Sequence, residues 1–419
     1  MEKFVIQGGK PLNGVVEIGG YKNAAGACLA AVLLSEEPVT LHNLPLVEDV
    51  FGMIKVLESM GATIEWLDKR TLRVHAGEDV DPAEMDFDLV SKTRVSVVFI
   101  GPLLARFKKF KISHPGGDRI GLRPITTHIE ALQSLGAKVE QEGDFYFFDG
   151  SSMAGRQVVL KEFSVTATEV LLMASVLLPG RTVLKGAAGE AQVQDLGKML
   201  VSMGAKIQGL GTHTIVIDGV KKLRGTAHGI VADPLETGTF LVAGALVPGP
   251  IEIKKANTTH LDLFFDKLRE IGVKFTVTDP ETIVVEYSAD LKPARVQALP
   301  YPGFPTDLLP IIVPLLTQAA GKSLIHDPLY ENRFTYLLEL RKMGADIEVV
   351  DPHRAFVYGK TSLKGKSIES WDIRAGASLI LAGLAAQGQT SIDNAYQIDR
   401  GYERIEEKLQ KLGAEIQRV

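Results

Sequence analysis

A leucine, three further residues and a glycine recur six times along this chain, each time with an apolar residue just before the glycine and a strand-like segment after it. The copies are VLESMGATIE, ALQSLGAKVE, MLVSMGAKIQ, KLREIGVKFT, ELRKMGADIE and KLQKLGAEIQ, with their glycines at Gly61, Gly136, Gly204, Gly272, Gly344 and Gly413. Near-constant spacing of this kind is the mark of a repeated supersecondary unit. Each copy reads as the last turn of an amphipathic helix, stopped by a glycine able to take the left-handed conformation. A second signature precedes it by about 25 residues: a turn, then a short alternating strand, as in EEPVTLHNLP, PGRTVLKGAA and QGQTSIDNAY. A helix lies between the two, and another apolar helix usually comes before the second, as in TGTFLVAGALV and AGASLILAGLAA. The unit is therefore about β-α-β-α-β-β, six times over. Two helices per small sheet suit three units folding into one domain, twice, with a ligand cleft between the domains.

Length agrees, because 419 residues exceed what a single core supports, about 250–300. A net charge of −5 gives no general attraction to nucleic acid or anionic membrane, so an anionic ligand must be met by a local cluster of basic side chains. The apolar stretches 24–34 and 170–178 fall short of the roughly 20 residues that span a bilayer, and the start MEKFVIQGGK alternates like a strand rather than a signal peptide. A soluble, cytoplasmic protein is expected. Cys28 lies in an apolar run and reads as a small buried thiol, which leaves no disulfide and no cysteine-ligated metal. The nine histidines form no HExxH pattern, there is no GxxxxGK[ST] loop, and GLGTHT at 209–214 reads as a hairpin rather than a dinucleotide loop.

Function is sought where the repeats break their own rules. The segment HPGGDRIGLRP, 114–124, sets an aspartate and two arginines among glycines and prolines. Charge also interrupts apolar or tight settings in GGYKNAAG (Lys22, Asn23), YPGFPTD (Asp307), ENR (Arg333) and IDRGYER (Arg400).

Taken with ETGTFL and DIRAGASL, these motifs resemble the enolpyruvyl transferase family, in the branch that acts on UDP-N-acetylglucosamine. The resemblance is collinear over the whole chain. It implies an α/β fold of two lobes, each an inside-out barrel of three βαβαββ units, with residues 1–20 and 232–419 forming one lobe and 21–231 the other, which carries a mobile loop at 114–124. The implied reaction moves the enolpyruvyl group of phosphoenolpyruvate to the sugar 3′-hydroxyl by addition and elimination, releasing phosphate, at the first committed step of peptidoglycan synthesis. Neither metal nor organic cofactor is implied, and the partners are the two small-molecule substrates. Site roles carry over position by position. Lys22, Arg123 and Arg400 match cations that grip phosphoenolpyruvate, and Asn23 a sugar contact. Arg94, Arg333, Asp372 and Arg374 match residues shaping the closed site, and Pro124, Ser164 and Leu329 further substrate contacts. Asp307 matches the group bonded to the 3′-hydroxyl and is the candidate base.

Asp118 stands where most relatives have cysteine, and a carboxylic acid can donate a proton there if its pKa rises from about 3.9 toward neutrality. In those relatives the cysteine is alkylated by the epoxide antibiotic fosfomycin, so resistance is expected here. The nucleotide end departs further: Ile125-Thr126-Thr127 follows Arg123-Pro124 where the family has Val-Asp-Leu, Glu162 replaces a lysine, Pro234 an arginine, Glu48 a lysine and Gln397 a histidine. Two other readings therefore stay open: an enolpyruvyl transferase with a different nucleotide-linked or phosphorylated acceptor, and a ligand-binding paralogue without catalysis.

Overall fold

The computed structural model describes residues 2–117, 120–121 and 124–419. They form two compact units, one of residues 2–19, 120–121 and 232–419 and one of 20–117 with 124–231, so that residues 120–121 group with the first unit and not with the one expected to carry the 114–124 loop.

The glycine signature has a single physical basis in all six copies. The glycines have φ between +94° and +106°, a region that side chains disfavour. In each case the next N–H donates to the carbonyl of the leucine five residues back, at 2.9–3.0 Å: Ala62 to Leu57, Ala137 to Leu132, Ala205 to Leu200, Val273 to Leu268, Ala345 to Leu340 and Ala414 to Leu409. This is the six-to-one closure of a Schellman ending. The same leucines are buried, so the signature ends the helix and anchors it to the core at once.

In the first unit the helices Pro234–Leu246, Leu309–Gln318 and Ile373–Ala385 pack against one another. Every residue of Pro234–Leu246 is buried. A helix apolar on all sides has no face to offer water and must lie at the centre; each large side chain buried there contributes about 1.5–3 kcal/mol. Around these helices lie three four-stranded sheets. In one, Arg295–Gln297 runs parallel to Gly321–His326, which pairs antiparallel with Arg354–Gly359, and that in turn with Asp346–Asp351. The other two need the N-terminal segment: Gly14–Glu17 runs parallel to Ile251–Lys254, and Phe4–Gln7 sits between Gln389–Asp393 and Glu415–Arg418.

The second unit repeats this plan. Lys22–Ala31, the consecutive helical segments Arg94–Phe99 and Ile100–Phe107, and Val165–Ser175 form its apolar centre. Its sheets have four, four and three strands among the described residues. One is completed by Ala227–Gly229, parallel to Val39–His42. Residues 209–213 join the antiparallel strands Lys206–Gln208 and Thr214–Asp218, and no helix starts there. No helix among the described residues is long and apolar enough to cross a membrane.

Candidate active site

In the first unit, three sequence-predicted side chains meet. Asp307 lies in the short helix Thr306–Leu308 just after Pro305, which fixes its direction. Its Oδ1 accepts from Arg333 Nη2 at 2.7 Å and its Oδ2 from Arg374 Nε at 3.3 Å. The side chains of Arg333 and Arg374 are 2% and 4% exposed, that of Asp307 30%. Burial pushes the Asp307 carboxyl up, but the two arginines outweigh it and hold the group well below the usual carboxylate range. Arg333 is desolvated too, yet Asp307, Asp372 and Asp327 raise its pKa above the ordinary arginine value. Arg374 comes from the first turn of Ile373–Ala385, which Asp372 caps by accepting from the Arg374 and Ala375 N–H groups at 2.8 and 2.9 Å. Arg400 follows the five-residue helix Ala395–Asp399, and its Nη1 donates to Gln397 Oε1 at 3.1 Å.

Two buried aspartates that sequence reasoning passed over support this cluster. Asp327 accepts from Thr306 Oγ1 at 2.7 Å and from the Leu329 N–H at 3.0 Å, and so ties the residue beside Asp307 to the turn that carries Leu329. Its sequence signal is slight, an acid before proline. Asp233 caps Pro234–Leu246 through the Leu235 and Glu236 N–H groups. Burial pushes its carboxyl up to about 6, with nearby Arg374 opposing the rise.

In the second unit, Lys22 begins the helix Lys22–Ala31 and its Nζ lies 2.8 Å from Asp49 Oδ2, both side chains being nearly buried. Asp49 was also missed, because nothing in its local pattern distinguishes it from an ordinary first-turn helix acid. Asn23 Nδ2 donates to Tyr21 Oη at 3.0 Å. Arg94 Nη2 donates to the Pro124 carbonyl at 3.2 Å, which brings two predicted residues together. Ser164 is the N-cap of Val165–Ser175, its Oγ accepting from the Ala167 N–H at 3.3 Å. The altered positions Thr127 and Glu162 meet through Thr127 Oγ1 and Glu162 Oε1 at 2.6 Å. Asp118 and Arg123 lie outside the described residues.

One group of metal-ligand type occurs among the described residues: Cys28, Asp195 and His228. Both Asp195 oxygens are already engaged, one by His228 Nε2 at 3.1 Å and the other by the Val231 N–H at 3.2 Å. Cys28 is fully buried, and desolvation pushes its thiol well up, with Asp195 and Glu169 adding to the rise. A protonated thiol beside a satisfied carboxylate is packing, not a ready ligand set.

Within the first unit, a carboxylate held by two desolvated arginine forks can orient a hydroxyl; within the second, a nearly buried lysine is a cation suited to an oxyanion. The model of the EPSP synthase (3-phosphoshikimate 1-carboxyvinyltransferase) family matches residues 6–409. The structure resembles the enolpyruvyl transferase NikO from Streptomyces tendae, with TM-score 0.90 at 24% identity over 100% of this chain and 99% of that one. It also resembles EPSP synthase from Acinetobacter baumannii, with TM-score 0.78 at 19% identity over 100% of both chains. In sequence, the UDP-N-acetylglucosamine 1-carboxyvinyltransferase of Koribacter versatilis is 44% identical over 100% of this chain and 97% of its own. That of Magnetococcus marinus is 43% identical over 100% of both. The chain belongs to the UDP-N-acetylglucosamine 1-carboxyvinyltransferase family of enolpyruvyl transferases.

Proposed function

We propose that the protein transfers the enolpyruvyl group of phosphoenolpyruvate to the 3′-hydroxyl of UDP-N-acetylglucosamine, a cytoplasmic step of peptidoglycan synthesis. The observation that carries this reading is the end-to-end match to transferases of that name at 43–44% identity. In the first stage the sugar oxygen bonds to C2 of phosphoenolpyruvate, its proton leaves, and C3 gains a proton. In the second, the tetrahedral intermediate loses phosphate and one C3 proton, restoring the double bond. Lys22, Arg123 and Arg400 hold the phosphate and carboxylate, and Asn23, Arg94, Pro124, Ser164, Leu329 and Asp372 contribute to the substrate pocket. Asp118 supplies the C3 proton. Asp307 accepts the hydrogen bond of the hydroxyl. Held by Arg333 and Arg374 it is a weak base, so taking the proton requires giving up one of those contacts as the substrate enters. Domain limits at 20/21 and 231/232 belong to the same reading, and so does resistance to fosfomycin, because a carboxylate is a poorer nucleophile than a thiolate toward an epoxide.

The test is phosphate release from phosphoenolpyruvate with a panel of acceptors. Release with UDP-N-acetylglucosamine and none with shikimate 3-phosphate supports the reading. Release with another acceptor only, or none at all, overturns it. Glu162→Lys is expected to leave turnover intact or to tighten nucleotide binding, and loss of activity would mean that position 162 faces something other than a diphosphate.

A further inference from the structure

Arg400 is carried by a helix too short to hold itself. Ala395–Asp399 has five residues, and isolated helices of that length are unstable in water. Its ends are fixed from outside. At the start, the Ala395 N–H donates to the Glu2 carbonyl at 3.1 Å, and Asn394 Nδ2 donates to Glu369 Oε1 at 2.7 Å. At the end stands Asp399, where the helix dipole disfavours a negative charge. A carboxylate there calls for a cation, and Arg418 provides it: Nη1 lies 2.7 Å from Asp399 Oδ2 and Nη2 2.6 Å from Oδ1.

The clamp itself is rigidly mounted. Arg418 belongs to the strand Glu415–Arg418, opposite Phe4 in the antiparallel ladder, and its guanidinium lies over the Phe4 ring at 4.7 Å. Its Nε donates to Glu406 Oε1 at 2.8 Å and its Nη1 also to Glu2 Oε2 at 2.9 Å. A fork already held by two other carboxylates and an aromatic face loses little freedom in gripping Asp399. Arg400 is the next residue, with φ −64° and ψ −21°, so the Asp399 clamp sets the origin of its side chain.

We propose that Arg418 is a positioning residue for enolpyruvyl transfer, acting through Asp399 to aim Arg400 at the phosphoenolpyruvate anion. The inference rests on the role given to Arg400 under the proposed function. A shift of about 1 Å in such a group can cost up to about 100-fold in rate. Arg418→Ala is therefore expected to lower kcat/KM for phosphoenolpyruvate roughly 30–100-fold, while the Kd for UDP-N-acetylglucosamine stays within twofold. Arg418→Lys keeps the charge but not the fork and should fall between. Asp399→Asn should match Arg418→Ala, and the double variant should be no worse than either single one, because both break the same link. Arg181→Ala removes a comparable but exposed fork to Asp218 in the other unit and should leave the kinetics unchanged.

The inference is overturned if Arg418→Ala keeps its phosphoenolpyruvate kinetics within twofold of wild type, if it loses both substrates equally, or if the double variant is additive. If the wild type binds phosphoenolpyruvate by calorimetry without turning it over, the proposed function fails, and the same variants are compared by Kd. Wild-type affinity retained in Arg418→Ala would then overturn the positioning role as well, and absence of phosphoenolpyruvate binding by the wild type would overturn both.

Discussion

Asp307→Asn removes one charge while keeping size and an acceptor oxygen, and it takes from the nearly solvent-free Arg333 and Arg374 the carboxylate that they share. Breaking a buried ion pair from one side costs about 3–5 kcal/mol. The lower end applies because Asp307 itself is 30% exposed and part of its charge is solvated. For a unit of this size a loss of about 3 kcal/mol corresponds to a fall of roughly 6–12 °C in Tm. The pH dependence separates charge from packing. The folded-state pKa of Asp307 is depressed, so its stabilisation is complete above the unfolded value near 4 and is lost as pH falls below it. Urea or thermal unfolding should show a constant gap between wild type and variant from pH 5 to 8, and the gap should narrow below about pH 4. A gap under about 1 kcal/mol at pH 7, well short of the cost of a broken buried pair, would refute the reasoning. A gap that persists unchanged at pH 3, below the ordinary carboxylate pKa, would do so too.

Three further outcomes are expected. Asp49→Asn leaves the nearly buried Lys22 ammonium without its carboxylate, and should lower kcat/KM for phosphoenolpyruvate at least tenfold, equal to about 1.4 kcal/mol, in steady-state assays; unchanged kinetics would mean that Asp49 is not what orients Lys22. Asp233 has a folded pKa raised to about 6, so the folded state binds the extra proton and its burial penalty grows as pH rises from about 4 to 6. Asp233→Asn preserves an N-cap and should flatten that part of the pH–Tm curve, with a gain of at most about 3 kcal/mol at pH 7; a wild-type curve already flat there would exclude a protonated Asp233. Wild type should keep its activity after prolonged fosfomycin exposure, whereas Asp118→Cys should turn over, then be inactivated with a mass gain on residue 118; inactivation of wild type by the same treatment would remove the carboxylate argument.

Much was legible in the chain because the signals are local. Leu57 to Ala62 shows why: a helix ending needs only a buried leucine and a glycine that accepts positive φ, both within one turn, so the six endings stand out at fixed spacing. Apolar runs likewise marked helices within Pro234–Leu246 and Ile373–Ala385, whereas their place at the centre of the unit came from the structure. The motifs around Lys22, Asp307, Arg333 and Arg400 could be singled out because they interrupt such patterns. What the pattern did not contain was who pairs with whom. Asp307 meets Arg333 from 26 positions away and Arg374 from 67, Lys22 meets Asp49 from 27, and Arg418 meets Asp399 from 19. Nor does alternation reveal that Phe4–Gln7 is the strand between Gln389–Asp393 and Glu415–Arg418. Helix endings and hydrophobic faces follow from dihedral preference and periodicity along the chain. Ion pairs and ladder partners depend on distances through space, which only the folded backbone sets, and so does the change they make in the chemistry of a carboxylate such as Asp307.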